Sequence, residues 1–251
     1  MDPVAVSLLV CVSLVGMGLL ATRLRTVLPD HHLSVETKDT VKLAMGLVAT
    51  MTALVLGLMV ASAKGTYDAQ KSDVIVFSAK LMVLDRMLAH YGPESAPLRA
   101  DLKQAVARME TQLWPDGGAR SAQLDPSAAS GDGLYDAVQA LAPRDDAQRT
   151  LKADMLASAL ALGELRWLLF EQSGHSISVP FLAVVICWLA ILFFSFGLFA
   201  PSNATASLSL MVSALSVAGA IFLILELDQP FDGLIHISNA PMQSVLAHLG
   251  Q

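Results

Sequence analysis

Four long apolar runs without a single charged residue divide the chain, and polar segments separate them. A helix of about 20 apolar residues crosses a hydrocarbon core of roughly 30 Å. A backbone inside lipid must also make its own hydrogen bonds, and a helix does so. The pattern therefore predicts four transmembrane helices, at residues 3–22, 43–63, 180–200 and 203–225.

The segment between the second and third runs is polar but keeps a helical period. Phe77, Leu81, Leu84 and Leu88 recur at alternating spacings of four and three residues, and similar stripes follow after residues 91–93 and after residue 144. Such spacing is typical of amphipathic helices outside the membrane. Because only Gly65 interrupts residues 63–91, we expect the second span to continue outward as one helix, which makes the insert a helical hairpin.

The predicted fold class is therefore an all-α membrane protein with a long extramembrane helical insert. Its predicted parts are two spans with a short loop (1–63), the insert (64–176), two further spans (177–227) and a tail that packs on the insert side (228–251).

Composition supports this class and excludes others. Hydrophobic residues form 54% of the chain, charged residues 15%, and the net charge is −6. A chain with no basic face is not expected to bind nucleic acid. The two cysteines, Cys11 and Cys187, fall inside apolar runs, which favours packing over a disulfide or a metal site.

Three segments carry a resemblance to a known family. They are residues 57–69 (GLMVASAKGTYDA), 84–93 (LDRMLAHYGP) and 226–238 (ELDQPFDGLIHIS). Together they resemble the bestrophin-like family of bacterial and plant membrane proteins. The resemblance implies four spans, an intervening helical region and a distant kinship to the bestrophins. Those proteins are pentameric anion channels whose second helix lines the pore and whose helical domain is cytosolic.

The second span has two unlike faces at about 100° per residue. Small side chains on one face allow close helix packing. The bulky face either lines a pore that closes by dewetting or meets lipid or a neighbouring helix. The packing residues are Gly46, Ala49, Ala53, Gly57 and Ala61, and the pore-lining candidates are Val48, Met51, Val55, Leu58 and Ser62.

Lys42 and Lys64 stand at the two ends of the second span. Lysines at span ends commonly extend to the membrane surface. If several copies surround an axis, the same lysines form rings at a pore mouth, where they attract anions.

Glu226, Asp228 and Asp232 gather where the fourth span leaves the membrane. Calcium needs six to eight oxygen ligands, so three acids form only a weak metal candidate. A helix end held by ion pairs is the favoured interpretation. We therefore predict no metal and no cofactor.

His31 and His32, with Glu36 and Asp39 nearby, lack the spacing that places two ligands on one helix face. No nucleophile–base pattern or phosphate-binding glycine loop is recognisable in the sequence. We therefore predict that the protein is not an enzyme.

The sequence predicts a multi-pass integral membrane protein of a bacterial inner membrane, in contact with lipid, and a homo-oligomer. The resemblance implies a pentamer. The predicted function is an ion channel, conducting anions, with a pore lined by the second span. The alternative is a non-conducting scaffold or sensor whose insert binds a partner.

Overall fold

The computed structural model describes residues 2–29, 34–114, 130–172, 179–201 and 203–250. Within these ranges the chain is helical and contains no strand. A short 3₁₀ turn, Pro93–Ser95, lies between the second and third helices. The α-helices are α1 (Pro3–Arg25), α2 (Val35–Tyr91), α3 (Ala96–Leu113), α4 (Ser130–Gln139), α5 (Asp146–Gln172), α6 (Val179–Phe199), α7 (Ala204–Leu227) and α8 (Ala240–His248).

Four of these helices are long and apolar enough to cross a membrane: α1, α2, α6 and α7. The four predicted spans are thus confirmed as helices of membrane-spanning length. Polar residues fix where two of them begin. The side chain of Asp2 accepts a hydrogen bond from the backbone N–H of Val4 at 3.0 Å, and Asn203 accepts one from Ala206 at 2.8 Å.

Helix α2 is one continuous helix of 57 residues that begins at Val35, includes the second apolar run and ends at Tyr91. The predicted outward continuation of the second span is therefore correct. The helix ends where Gly92 adopts φ 123°, a conformation that glycine tolerates best, and Pro93 follows.

The chain divides into two compact units, of which the first comprises Met1–Thr66 and Ser176–Asp228. We call it the membrane unit. Its core contains Leu14, Val185 and Ile221, which are completely buried. The backbones of α1 and α6 touch, because a Cβ atom added to Gly197 would overlap the carbonyl oxygen of Gly18. This close packing of small residues was not singled out from the sequence.

The second unit comprises Tyr67–His175 and Gln229–Gln251, and we call it the extramembrane unit. Its core is built from the predicted apolar stripes together with side chains of the C-terminal segment. The buried members include Phe77, Leu81, Leu84, Leu88, Leu102, Met155, Leu162, Phe231, Met242 and Leu249.

The described residues do not confirm a simple helical hairpin. The extramembrane unit contains the outer half of α2 with α3, α4, α5 and α8. Trp114 Nε1 donates to the carbonyl of Ile237 at 2.7 Å, and Lys103 Nζ donates to that of Leu249 at 2.9 Å. The C-terminal segment is thereby fastened to α3, a long-range pairing that helical periodicity does not reveal.

Candidate functional site

One stripe of α2 contacts the rest of its own chain within the membrane-spanning half. The stripe recurs every three or four residues, and its fully buried members are Thr52, 3% exposed, and Ala63, 6% exposed. The Thr52 hydroxyl donates to the Val48 carbonyl at 2.7 Å, so it needs no other partner. The buried and half-buried members are Val41, Met45, Val48, Thr52, Val55, Met59 and Ala63.

Ala49, Leu56 and Val60, beside this stripe, are also half-buried, and most of the remaining surface of this half of α2 is open within the described chain. In its most apolar stretch only 6% of residues are buried, against 28%, 39% and 28% in α1, α6 and α7. Leu47 and Leu54 are both 68% exposed, and Leu58 is 69% exposed. Among the four membrane-length helices, α2 therefore receives the least cover from its own chain.

The open surface continues along the same side of α2 outside the apolar run. At about 100° per residue, Val76 and Val83 lie above Leu47, Leu54 and Leu58. Val76 is 40% exposed and Val83 56% exposed. We call this continuous stripe the uncovered face, and it consists of Leu43, Leu47, Leu54, Leu58, Gly65, Ser72, Val76, Ala79 and Val83.

The predicted pore-lining residues lie on one side of α2, at the border between the stripe that the chain covers and the exposed surface. Leu58 belongs to the uncovered face, while Met51 and Ser62 are exposed beside it. Val48 and Val55 are half-buried on the stripe that faces the chain, and Val55 packs against the core of the membrane unit. The five candidates thus remain neighbours on the helix, and they differ in burial: Met51, Leu58 and Ser62 are exposed, whereas the two valines are partly covered by the chain.

The predicted small-residue packing face is largely open. Gly46, Ala53, Gly57 and Ala61 are exposed, and Ala49 is half-buried. A Cβ atom added to Gly46 or Gly57 would meet no described atom within 4 Å. No described helix of the same chain packs closely on these two glycines.

Both predicted pore-mouth lysines are exposed at the ends of the apolar run. Lys42 Nζ lies 3.6 Å from Asp39 Oδ1, and the two side chains are 71% and 64% exposed. A pair this exposed contributes little to stability, so it leaves Lys42 accessible to ions.

The three acids after the fourth span do not form a metal centre in the described part of the chain, where no cluster of three or more potential ligands occurs. Glu226 is only 2% exposed at the end of α7. The backbone N–H of Asp228 donates to the carbonyl of Ile224 at 3.2 Å, and the backbone N–H of Asp232 donates to the carbonyl of Gln229, also at 3.2 Å. The region forms a turn closed by the Ile237 N–H and the Pro230 carbonyl at 2.7 Å.

The histidine pair lies outside the described residues, whereas Glu36 and Asp39 belong to the first turns of α2.

Two polar contacts at the outer end of α2 were missed from the sequence. One is an ion pair between Asp85 and Arg99, whose side chains are 8% and 18% exposed. The other joins Glu94 to Arg144 at 2.5 Å. The signal for the first was a charged residue inside an apolar stripe, beside Leu84. The second joins residues too far apart in sequence for any local pattern.

The architecture defines an integral membrane protein with an extramembrane helical unit. The chain belongs to the bestrophin-like family: the family model described as Bestrophin-like domain matches residues 11–242. A comparison with curated proteins found no match.

Solved structures share the fold. Two are mutants of a bacterial bestrophin homologue from Klebsiella pneumoniae. One has a TM-score of 0.69, with 96% of this chain and 97% of that chain covered, and the other has 0.66, with 98% and 99% covered. A third, described as a membrane protein, has a TM-score of 0.64. Each is 13% identical to this chain, so the likeness concerns the fold alone.

Proposed function

We propose that this protein is an oligomeric ion channel whose pore is lined by α2. The observation that carries the proposal is the exposed apolar surface of the extramembrane half of α2, where Val76, Ala79 and Val83 continue the uncovered face and Ile75 lies beside it. Lipid covers exposed apolar surface inside the bilayer but not at Ile75, Val76 and Val83, which are 49%, 40% and 56% exposed. Contiguous apolar surface outside the membrane marks a protein contact. A ring of copies around α2 supplies that contact along its whole length.

The two flanks of α2 then take different roles. The small residues Gly46, Ala53 and Gly57 allow the helix of a neighbouring copy to approach closely. Met51 and Leu58, on the other flank, turn toward the axis. Ions therefore pass a hydrophobic constriction that conducts only when it is wet.

The conducted ions are anions in this proposal. Lys42 and Lys64 bracket the constriction, and each contributes one positive charge per copy to a ring at a pore mouth. Five copies is the number that the family resemblance implies. Flux is passive, and no chemical step is needed. The bacterial inner membrane is the location proposed for it.

A non-conducting scaffold or sensor is the second candidate. It is favoured by exposed apolar side chains on α5: Leu160 is 56%, Trp167 60% and Leu168 42% exposed. Such a patch fits a partner protein that binds the extramembrane unit.

Current across a planar bilayer separates the two functions. The purified oligomer is reconstituted under an asymmetric KCl gradient. A reversal potential at the chloride equilibrium value supports the anion channel, whereas silence from a folded, verified oligomer supports the scaffold.

A matched pair of variants then tests the lining. Leu58→Ser makes the proposed constriction polar and is expected to raise the current. Leu215→Ser on α7 is the control, because Leu215 is 68% exposed and Leu58 69% exposed. Equal effects of the two substitutions would remove Leu58 from the pore.

A further inference from the structure

The outer end of α2 is fastened to the beginning of α5 by side-chain contacts. Gln148 Nε2 donates to the carbonyl of Tyr91, the last residue of α2, at 2.8 Å. Arg144 Nη1 lies 2.5 Å from Glu94 Oε1. The backbone N–H of Arg144 donates to Gln148 Oε1 at 2.7 Å. We call Tyr91, Glu94, Arg144 and Gln148 the α2 latch.

The latch also has a second link to the α5 N-terminus. The backbone N–H of Gln148 donates to Asp145 Oδ1 at 2.7 Å, which caps the first turn of α5. Gln148 therefore belongs to the start of α5 through its backbone and to the end of α2 through its side chain. A displacement of the first turn of α5 would therefore strain or break the hydrogen bond between Gln148 Nε2 and the Tyr91 carbonyl.

The latched arrangement contains unfavourable features. Tyr91 Oη and Glu94 Oε2 are buried and have no hydrogen-bond partner among the described residues. A buried oxygen without a hydrogen-bond partner disfavours the conformation that buries it. The latched state is thus opposed by local costs, which brings an unlatched state closer in free energy.

The ion pair between Arg144 and Glu94 stabilises the latched state, but its arginine side chain is exposed to solvent. The Arg144 side chain is 73% exposed and that of Glu94 27% exposed. Ion pairs of this exposure are weak and are readily replaced by water. When the free energies that favour and oppose the latched state are both small, a modest signal can shift the equilibrium between the latched and unlatched states.

We propose that the α2 latch regulates the channel by setting the resting position of the pore-lining helix. This inference rests on the proposed function. Helix α2 is continuous from Val35 to Tyr91, so a shift or rotation of its outer end reaches the membrane-spanning half without an intervening break. The latched state holds the constriction closed, and release of Arg144 from Glu94 favours the open state.

The experiment compares Arg144→Met with Arg149→Met in the full-length reconstituted oligomer. Arg149 is a matched control, because it is 68% exposed and pairs with Asp146 three residues earlier on its own helix. Arg144→Met is expected to raise the open fraction about two- to five-fold, the range that loss of one weak pair gives. Arg149→Met is expected to leave it unchanged.

A structural measurement separates the latch from the conduction proposal. Hydrogen exchange of backbone amides in residues 88–95 is expected to rise in Arg144→Met but not in Arg149→Met. Faster exchange with an unchanged open fraction would overturn the regulatory role. Unchanged exchange would overturn the latch geometry. Silence of wild type and both variants would overturn the channel function itself, and the exchange data would then still report on the latch.

A covalent lock provides the converse test. Glu94→Cys combined with Arg144→Cys, in a chain whose Cys11 and Cys187 are replaced by serine, is joined by a bifunctional thiol reagent with a reducible link. We expect the joined protein to lose current and to regain it on reduction. Current that persists in the joined protein would contradict the proposal.

Discussion

Arg99 donates a hydrogen bond to each carboxylate oxygen of Asp85, with Nε 2.8 Å from Oδ1 and Nη2 2.9 Å from Oδ2. This bidentate ion pair joins α2 to α3 inside the extramembrane unit. The hydrogen bond to Asp85 raises the pKa of Arg99 above its ordinary value, so the guanidinium stays charged throughout the physiological range. Because both side chains are mostly buried, each depends on the other for compensation.

Removing one partner of this pair is expected to be severe. Arg99→Met leaves the Asp85 carboxylate buried without its counter-ion, which costs about 3 to 5 kcal/mol. The double variant Asp85→Leu/Arg99→Met should recover much of this loss, because no buried charge then remains. Thermal unfolding in detergent measures both effects. Asp101→Asn, at an exposed position of α3, is the control. Equal stability of the single and double variants would contradict a coupled pair.

Tyr91→Phe is expected to cost nothing. The Tyr91 hydroxyl is buried without a hydrogen-bond partner in the described ranges, so its removal should leave the free energy of unfolding unchanged or raise it by up to about 1 kcal/mol. A loss of stability in Tyr91→Phe would mean that the hydroxyl has a partner in solution.

The same residue makes stability depend on alkaline pH. Burial, and then the nearby Glu94 charge, raise the pKa of Tyr91 above 10.0. The folded protein therefore favours the neutral phenol. This contribution is fully present below about pH 10 and is lost as the pH rises through the folded-state pKa. Thermal unfolding measured from about pH 8 to about pH 11 should decline less steeply in Tyr91→Phe than in wild type.

Gly197→Ala is expected to disrupt the packing of α1 against α6. The new methyl group would overlap the carbonyl oxygen of Gly18, and backbone atoms move aside only if the two helices separate. Overpacking of this kind typically costs about 1 to 3 kcal/mol. The matched control is Gly16→Ala, also in a membrane-length helix, because a Cβ there meets no described atom within 4 Å. Thermal unfolding in detergent compares the two, and equal stability would exclude the close approach.

Local pattern was sufficient to predict the helices but not their long-range pairing. The stripe of Phe77, Leu81, Leu84 and Leu88 predicted an amphipathic helix, and all four side chains are buried. The continuation of α2 followed from the absence of any breaker other than Gly65 between Ala63 and Tyr91. The attachment of Leu249 to Lys103 could not be predicted, because it depends on the path of the chain between two distant segments.

The candidate site could be predicted only in part, because local pattern does not reveal long-range contacts. The helical period of about 100° per residue defines the two faces of α2, and it placed Met51 and Leu58 on the same face. Period does not reveal which side the chain itself covers, so it could not show that Val55, one of the pore candidates, packs against the core of the membrane unit. Gly46 and Gly57 show the same limit, because a Cβ atom added to either would meet no described atom within 4 Å.

Lys64→Glu is expected to change ion selectivity. A ring of lysines attracts anions, and a ring of glutamates at the same place attracts cations. The reversal potential in a KCl gradient should therefore move away from the chloride equilibrium value. Arg108→Glu, at an exposed position of α3, makes the same change in charge and is the control. Unchanged selectivity in Lys64→Glu would place that residue away from the pore.

Val83→Asp tests the contact between copies outside the membrane. Val83 is 56% exposed and lies on the uncovered face far from the apolar run, so lipid does not account for its exposure. In a ring of copies, aspartates at this position are brought together and desolvated, and both effects oppose assembly. We expect light scattering of the detergent-solubilised protein to report a smaller particle than wild type. Ala100→Asp, at an exposed position of α3, is the control and should assemble normally. A wild-type particle mass for Val83→Asp would remove the outer half of α2 from the contact between copies and favour the scaffold, with its apolar surface left for a different partner.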